Sequence, residues 1–199
     1  MLETLKEKFA ARALPMAAEV KEFVKTHGNE VVSQVTLAQL YGGMKGVTGL
    51  VTETSKLDPE EGIRFRGYSI PEVREALPKA PGGKEPLPEG IFYLMLIGEL
   101  PTAKDVINVS NNLARRAIVP KHVFDMLESL PRHTHPMTQF SMAIMALGTE
   151  SVFADEYKKG MHKRDYWAAT YEDAMNLIAR LPRVDRKSTR LNSSHQIIS

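Results

Sequence analysis

The sequence predicts an all-α, mainly helical protein with a small β-hairpin region near residues 31–68. Apolar residues recur three and four positions apart through most of the chain, which is the spacing of one helix face. Prolines stand at the start of several apolar segments, where a helix tolerates them. Between residues 31 and 68, β-branched residues and turn-forming glycines replace this spacing. With 199 residues, 43% of them hydrophobic and 25% charged, the chain can bury a sizeable core.

The amino-terminal part is expected to form one helix followed by two short strands. Leu5 and Phe9 lie four residues apart, which favours a helix over residues 2–25. Acidic residues recur in this stretch, whereas transit peptides avoid them, so we interpret it as a helix of the mature protein. Strands are expected over residues 49–54 and 63–68, joined by a turn in which Pro59 presets φ and Gly62 relieves the backbone.

Helices dominate from residue 71 onward. We predict helices over residues 71–77, 88–98, 102–117, 120–130, 135–150 and 165–181. Thr102 and Asp105 have the spacing of a capping box. The stretch 79–86 contains Pro81, Gly82 and Gly83 in succession, followed by Pro86, and is expected to be a loop.

The segment 135–150 differs from the other helices because apolar residues occupy every side of its helical wheel. A helix that is apolar all round is buried on all sides. It is therefore either the centre of a larger domain or a surface that faces another subunit. Small residues such as Ser141, Ala143 and Ala146 would let a partner helix approach closely.

The last fifteen residues, DRKSTRLNSSHQIIS, differ in character from the rest of the chain. Residues 185–195 resemble the in-frame translation of a common sequencing adapter, so we expect residues 185–199 to be a non-native tail, the alternative being a real polar tail. This tail holds three of the 26 basic residues and one of the 24 acidic ones, which leaves residues 1–184 electrically balanced. Binding to nucleic acid or to an anionic membrane is then not expected. The longest apolar run, 91–97, is too short to span a bilayer.

Residue types exclude several chemistries. The absence of cysteine excludes disulfides, thiolate zinc sites, iron–sulfur clusters and a cysteine nucleophile. His133 and His135 form the only close histidine pair, but residues two apart do not share a helix face, so helix capping or packing is the better interpretation than a metal site. The acids around Asp58 lack the calcium-loop pattern and suit a solvated turn.

Two cationic loops have residue types that suit a phosphate. The first, GGMKG at residues 42–46, places Lys45 among glycines but lacks the Walker spacing. The second contains Lys158, Lys159, Lys163 and Arg164 around Gly160. From spacing alone, a flexible turn and a solvated loop are the ordinary interpretations.

Four collinear stretches resemble the citrate synthase family in its eukaryotic mitochondrial form. They are YGGMKGVTGLVTETSKLDPEEGIRFRGY from Tyr41, EPLPEGIFYLMLIGELP from Glu85, HPMTQ from His135 and YEDAMNLIARLP from Tyr171. The similarity covers essentially all of residues 4–184 and under half of the family's length. It implies a helical homodimer of which this chain supplies the front part of the large domain. The corresponding family helices at residues 135–150 and 102–117 pack in the dimer interface.

The resemblance also implies a reaction, the condensation of acetyl-CoA with oxaloacetate and water to citrate and CoA, with no separate cofactor. The family's two catalytic histidines and its aspartate lie after the point that matches Val184. None of His27, His122, His133, His135 and His162 is therefore assigned a catalytic role. Two family arginines that contact CoA phosphates align with Lys45 and with Lys163, which is followed by Arg164; lysine keeps the charge but loses the bidentate fork.

Two alternatives stay open. One is 2-methylcitrate synthase, which shares the architecture and accepts propionyl-CoA; the residues that would discriminate lie in the missing part. The other is a short helical interaction module with no enzymatic activity. The family resemblance implies the mitochondrial matrix as location, although the sequence has no transit peptide.

Overall fold

The computed structural model describes the backbone of residues 4–193 and the side chains of residues 4–188. Contacts between Cα atoms divide the chain into two compact units, residues 1–109 and residues 110–199. The predicted fold class is confirmed, because helices make up most of the described chain and a single small sheet lies in the first unit.

The predicted helices and strands occur in the predicted order, but the helix Leu37–Tyr41, inside the region predicted to be a β-hairpin, and the helix Val152–Lys158 were not predicted. The first unit contains α1 (Leu5–His27), α2 (Leu37–Tyr41), β1 (Ser55–Asp58), β2 (Gly62–Phe65), β3 (Tyr68–Ser69), α3 (Ile70–Ala76) and α4 (Pro88–Ile97). Helix α5 (Ala103–Arg116) begins in the first unit and ends in the second. The second unit continues with α6 (Lys121–Ser129), α7 (Pro136–Leu147), α8 (Val152–Lys158) and α9 (Tyr166–Ser193), with 3₁₀ turns at Gly148–Glu150 and Lys163–Asp165.

The strand boundaries predicted from sequence were wrong on both sides of the hairpin turn. Residues 49–54 form no strand, and β1 begins only at Ser55. The expected strand over 63–68 is divided into β2 and β3 by a turn in which Arg66 has φ 49° and Gly67 has φ 89°. The reason is the antiparallel register, in which Ser55 pairs with Phe65, so that only the residues next to the turn have a partner.

The hairpin turn itself is the solvated turn that the sequence predicts. The Asp58 carboxylate accepts hydrogen bonds from the backbone N–H groups of Glu60, at 2.9 Å, and of Glu61, at 3.1 Å. These two bonds lower the pKa of Asp58. Arg64 Nε lies 2.9 Å from Glu61 Oε2, so Asp58 and Glu61 both bind groups of the hairpin itself.

The core of the first unit forms where α3 packs beside α4. Leu94 is completely buried against Val73 and Leu77, with Phe65 of β2 at the edge of this cluster. Helix α4 ends at Gly98, which takes a left-handed conformation with φ 89°. The Arg66 guanidinium donates two hydrogen bonds to the carbonyl oxygen of Met95, at 3.2 and 2.9 Å, and so caps the last turn of α4.

A polar junction connects α1 to α4 and to the start of α5. Lys8 Nζ lies 2.7 Å from Asp105 Oδ1 and 3.1 Å from the Tyr93 hydroxyl oxygen. Asp105 also forms the predicted capping box, because its Oδ2 accepts the Thr102 N–H at 3.0 Å. Burial raises the pKa of Asp105, but the hydrogen bonds from Lys8 and Thr102 outweigh burial and lower it overall.

This junction predicts acid sensitivity of the first unit. A carboxyl group whose pKa is lower in the folded state than in the unfolded state stabilises the fold above its unfolded pKa, about 3.8 for Asp105, and loses that contribution as the pH falls. We expect the free energy of unfolding to decrease below about pH 4, and we expect Asp105→Asn to flatten that decrease. Urea titrations followed by far-ultraviolet ellipticity, repeated at several pH values, measure how the free energy of unfolding changes with pH in the parent and in Asp105→Asn. The same pH dependence in both proteins would contradict the prediction.

The core of the second unit lies among α6, α7 and α9. Val123, Ala143 and Val184, one from each of these helices, are completely buried, and Leu127 and Leu147 extend the same cluster. Each helix therefore contributes one apolar face to a shared core, as the helical spacing predicts.

Helix α7 is shorter than predicted and is not covered on all sides. Its face with Gln139, Ala143 and Leu147 is buried, whereas Met145 is 80% exposed and Met137 is 61% exposed. The sequence predicts that all sides of this helix are buried, but within the described residues only one face is.

Helix α9 continues beyond its predicted end at residue 181. It passes through Pro182 and reaches Ser193. A proline inside a helix removes one backbone hydrogen bond, and the packing of Val184 into the core stabilises the turn that follows. Lys187 adds an ion pair to Glu128 with Nζ and Oε1 2.6 Å apart.

Candidate functional site

The first candidate loop, residues 42–46, follows α2 and folds back onto that helix. Gly43, Met44 and Gly46 have φ values of 76°, 64° and 74°, so three of its five residues are left-handed. The Met44 N–H donates to the Gln39 carbonyl oxygen at 2.8 Å, and Gln39 Nε2 donates to the Lys45 carbonyl oxygen at 3.5 Å. Lys45 lies within this tight turn, and its side chain is exposed.

Gln39 holds this loop because its own position is fixed by the start of α2. Its side-chain oxygen accepts the Thr36 N–H at 3.0 Å, and its N–H donates to Thr36 Oγ1 at 3.3 Å, which is a capping box. Among the described residues, Lys45 forms no ion pair. Its ammonium group is therefore available to a phosphate without first losing a carboxylate partner.

The second candidate loop connects α8 to α9 and contains the predicted residues Lys163 and Arg164. His162 Nδ1 accepts the Arg164 N–H at 3.2 Å and so caps the 3₁₀ turn that holds both cations. Arg164 Nε lies 3.4 Å from Asp165 Oδ2, but this pair is largely exposed and therefore weak. Lys163 is exposed and has no ion pair in the part of the chain that the structure describes.

The two other cations of this region are occupied by carboxylates of α8. Lys159 Nζ lies 2.7 Å from Glu156 Oε1, and this contact raises the pKa of Lys159. Lys158 Nζ lies 3.9 Å from Asp155 Oδ1. Of the four cations singled out in the sequence, Lys158, Lys159 and Arg164 thus have exposed carboxylate partners, and Lys163 has none among the described residues.

Aromatic rings support the base of the second loop. The ring of Phe153 packs edge-on against that of Tyr166 with centroids 5.1 Å apart, and Tyr157 lies 6.1 Å from Tyr166. These contacts join α8 to the start of α9, so both ends of the loop 159–165 are held by aromatic packing. Lys45 belongs to the first unit, whereas Lys163 and Arg164 belong to the second, and each loop is a separate cationic feature.

Four of the described histidines serve as helix caps or form surface contacts. His135 Nδ1 accepts the Met137 N–H at 3.1 Å at the start of α7, which confirms the capping interpretation. His27 Nδ1 lies 2.7 Å from Glu30 Oε1, and His122 Nε2 lies 3.1 Å from Thr149 Oγ1. The described residues contain no group of three side chains that could hold a metal ion.

One polar cluster was missed by the sequence analysis. The Arg116 guanidinium lies 2.7 Å from Glu172 Oε2 and donates to Asn176 Oδ1 at 2.8 Å and to Asn112 Oδ1 at 2.6 Å. Burial raises the pKa of the neighbouring Tyr171 to about 12. The only sequence signal was a cation in the last turn of α5, which a helix dipole explains equally well.

No helix in the described part of the chain combines the length and the apolar character that crossing a bilayer requires.

Solved structures of one enzyme class share this fold. The citrate synthase of Pyrobaculum aerophilum matches with a TM-score of 0.63 and 20% identity, over 83% of this chain and 40% of that one. A ternary complex of carboxymethyl coenzyme A and oxaloacetate with the citrate synthase of Thermoplasma acidophilum matches with a TM-score of 0.58 and 20% identity, over 81% of this chain and 37% of that one.

Sequence similarity gives the family. The family model described as citrate synthase, C-terminal domain, matches residues 43–198. Mitochondrial citrate synthase of Saccharomyces cerevisiae is 51% identical over 188 residues, which are 94% of this chain and 39% of that protein. The mitochondrial citrate synthase of Xiphias gladius is 55% identical over 86% of this chain and 36% of its own length, and the mitochondrial 2-methylcitrate synthase of Yarrowia lipolytica is 52% identical over 89% of this chain and 38% of its own length.

The chain therefore belongs to the citrate synthase family. It spans about 39% of the length of the yeast relative.

Proposed function

We propose that this chain is the front part of a citrate synthase, an acyltransferase of the tricarboxylic acid cycle that condenses acetyl-CoA with oxaloacetate and water to citrate and CoA. The observation that carries the proposal is the identity of 51% with a mitochondrial citrate synthase over 94% of the chain. The relatives' names also support a mitochondrial matrix location. CoA enters as part of the substrate, and we propose no separate cofactor.

The catalytic acid and base groups are proposed to lie beyond residue 184. In support, the contacts found for His27, His122, His135 and His162 are with residues at helix ends or with neighbouring surface groups. A general acid or base needs a ring nitrogen directed at substrate. This chain would contribute the scaffold and part of the coenzyme site.

Lys45, Lys163 and Arg164 are proposed to contact the phosphates of CoA. Lys45 lies in a glycine-containing turn, and Lys163 begins the 3₁₀ turn that His162 caps. Each of these lysines is exposed and lacks an ion pair among the described residues, so phosphate binding displaces no carboxylate. The weak contact of Arg164 with Asp165 leaves most of the guanidinium available.

A homodimer is proposed for the complete enzyme, with the exposed face of α7 in its interface. Met137 and Met145 expose most of their surface on one helix, which supports an apolar contact with another protein surface. Methionine is adaptable in such contacts because its side chain is unbranched.

Residues 185–199 are proposed to be a non-native tail. Ser188 is 2% exposed and lies one helical turn after the buried Val184, a position at which an apolar side chain would pack better. Reading the genomic DNA across the codon of Val184 tests this proposal directly. Continuation of the tail sequence in the genome would refute it.

A 2-methylcitrate synthase is the second candidate, because the relative from Yarrowia lipolytica is 52% identical over 178 residues. The two enzymes differ in the acyl group that they accept from CoA. The choice between acetyl-CoA and propionyl-CoA in an assay therefore separates the two candidates.

We expect the complete protein, expressed from the genomic reading frame, to release CoA thiol from acetyl-CoA in the presence of oxaloacetate, and to use propionyl-CoA less well. The 199-residue chain alone should show no turnover, because the groups that move protons are absent from it.

In the complete protein, Lys45→Met and Lys163→Met should each raise KM for acetyl-CoA severalfold with little change in kcat, since a phosphate contact distant from the reacting carbon contributes uniform binding.

The matched controls are Lys56→Met, an exposed lysine of β1, and Lys158→Met, which removes a lysine already paired along α8. Both should leave KM unchanged. Turnover by the 199-residue chain would refute the proposed position of the catalytic groups. Equal KM values for all four variants and the parent would refute the phosphate contacts.

A further inference from the structure

A cleft inside the second unit is lined by residues that have no role in the proposed function. It lies beside α7, the Gly148–Glu150 turn and α9, and its volume is about 210 Å³. Ile144, Leu147 and Leu177 form its apolar wall, and Asn176 and Arg180 contribute polar groups. A cavity of this size is smaller than the pockets that hold drug-sized molecules, which restricts it to a small ligand.

Arg180 carries an unused hydrogen-bond donor at this cleft. Its Nε atom is buried and has no hydrogen-bond partner among the described residues. A buried guanidinium N–H without an acceptor is costly, because it has lost water and gained nothing in return. A ligand that brings an acceptor to this atom would remove that cost.

A second donor lies one helical turn away on the same face of α9. Asn176 Oδ1 accepts the Arg116 Nη1 hydrogen at 2.8 Å, which fixes the orientation of the carboxamide. Its Nδ2 group forms no hydrogen bond to any described residue, so it is left as a donor. Residues at i and i+4 are neighbours on a helix surface, and both side chains line the cleft.

The two acids in the cleft wall differ in what they can do. Asp173 is saturated, since it accepts the Ser151 hydroxyl at 2.7 Å and the N–H groups of Val152 and Phe153 at 2.7 and 3.0 Å. These three donors at the start of α8 offset its charge. Glu150 also lines the cleft, is exposed and forms no ion pair within the described chain, so its charge opposes the binding of an anion there.

We propose that this cleft binds a small carboxylate with a short apolar tail. The carboxylate accepts hydrogen bonds from Arg180 Nε and Asn176 Nδ2, and the tail lies against Ile144, Leu147 and Leu177. A guanidinium with a neighbouring amide suits the planar, two-oxygen carboxylate group. The apolar wall distinguishes this ligand class from a simple inorganic anion, which would gain nothing from the hydrocarbon surface. The proposal is independent of the acyltransferase function, because it uses none of the residues assigned to CoA.

The test uses the 199-residue chain and 4-fluorobenzoate, whose binding is followed by fluorine NMR. We expect saturable binding that hexanoate displaces and that the neutral 4-fluorobenzyl alcohol does not reproduce. Arg180→Met should weaken binding at least tenfold, since it removes a charge-assisted hydrogen bond. Glu150→Gln should strengthen binding severalfold, because it removes the remaining unpaired carboxylate from the wall.

Arg132→Met is the matched control, because Arg132 is an exposed arginine of the same unit outside the cleft. It should bind the probe as the parent does. The ellipticity of each variant and the emission of Trp167, the only tryptophan, report whether the fold is intact. Absence of saturable binding to the parent, equal binding of the alcohol, or equal affinity of the folded Arg180→Met variant would overturn the proposal. If Arg180→Met does not fold, a Glu150→Gln affinity no higher than that of the parent overturns it.

Discussion

Asp173→Ala is expected to lower the free energy of unfolding of the 110–199 unit by about 3 kcal/mol. The carboxylate accepts hydrogen bonds from the Ser151 hydroxyl and from the N–H groups of Val152 and Phe153, all between 2.7 and 3.0 Å. The two N–H groups belong to the first turn of α8 and have no partner within that helix. Alanine would leave three half-buried donors without an acceptor, and hydrogen bonds to charged groups each contribute roughly 1.5–3 kcal/mol, part of which water would restore.

Urea unfolding followed by the emission of Trp167 measures this effect, because the only tryptophan lies in the first turns of α9, near Asp173. Asp173→Asn should have an intermediate effect, since it keeps one acceptor oxygen but loses the charge. Asp155→Ala is the control: Asp155 lies on α8, is mostly exposed and is 3.9 Å from its lysine, so its removal should cost under about 0.5 kcal/mol. Equal losses for Asp173→Ala and Asp155→Ala would show that the three contacts do not stabilise the unit.

Leu94→Ala is expected to destabilise the first unit by about 2–5 kcal/mol. The Leu94 side chain has no exposed surface and packs against Val73 and Leu77. Removing three carbon atoms there loses their transfer free energy and leaves a cavity that the surrounding α3 and α4 can close only in part. Urea unfolding followed by far-ultraviolet ellipticity gives the change in midpoint and slope.

Two variants bracket this result. Leu94→Met nearly conserves the volume and should cost less than about 1.5 kcal/mol. Leu57→Ala removes a leucine of the edge strand β1 that is 75% exposed, so its effect should stay within about 0.5 kcal/mol. A Leu94→Ala midpoint as high as that of Leu57→Ala would mean that the cluster around Leu94 is not a cooperative core.

Features whose partners lie within four residues were predictable from the sequence. The Thr102–Asp105 capping box, the Asp58 turn and the His135 cap all join a side chain to a backbone N–H two or three residues away. Such contacts depend on local spacing, which a sequence displays directly. The positions of seven helices followed for the same reason, because a periodic apolar face is itself a local pattern, whereas the short helices α2 and α8 were missed.

The candidate site was predictable only as residue types. Lys45 and Lys163 stand out in the sequence as cations in glycine-containing loops. The resemblance to the family predicts CoA phosphates as their ligand. Lys158 and Lys159 each pair with an acid three residues earlier, a spacing that the sequence displays. The structure adds that Lys163 has no ion pair among the described residues.

The errors in secondary structure have a common cause. Residues 49–54 have strand-forming residue types, yet the hairpin register gives partners to residues 55–58 instead. Pro182 is a helix breaker by type, yet α9 continues because Val184 packs against α6 and α7. In the hairpin the pairing partner, and in α9 a contact distant in sequence, outweighs a local propensity of about 1 to 3 kcal/mol.

By itself, the sequence determined the family, the order of seven of the nine described α-helices and the caps at Thr102 and His135, because these depend on residue types and short spacing. Only the tertiary structure decided which face of α7 stays exposed and which arginines are paired. Arg116 meets Asn176 across 60 positions, and Arg180 reaches a cleft whose opposite wall comes from α7. Such neighbours follow from how helices pack, and packing brings together residues whose separation along the chain carries no signal.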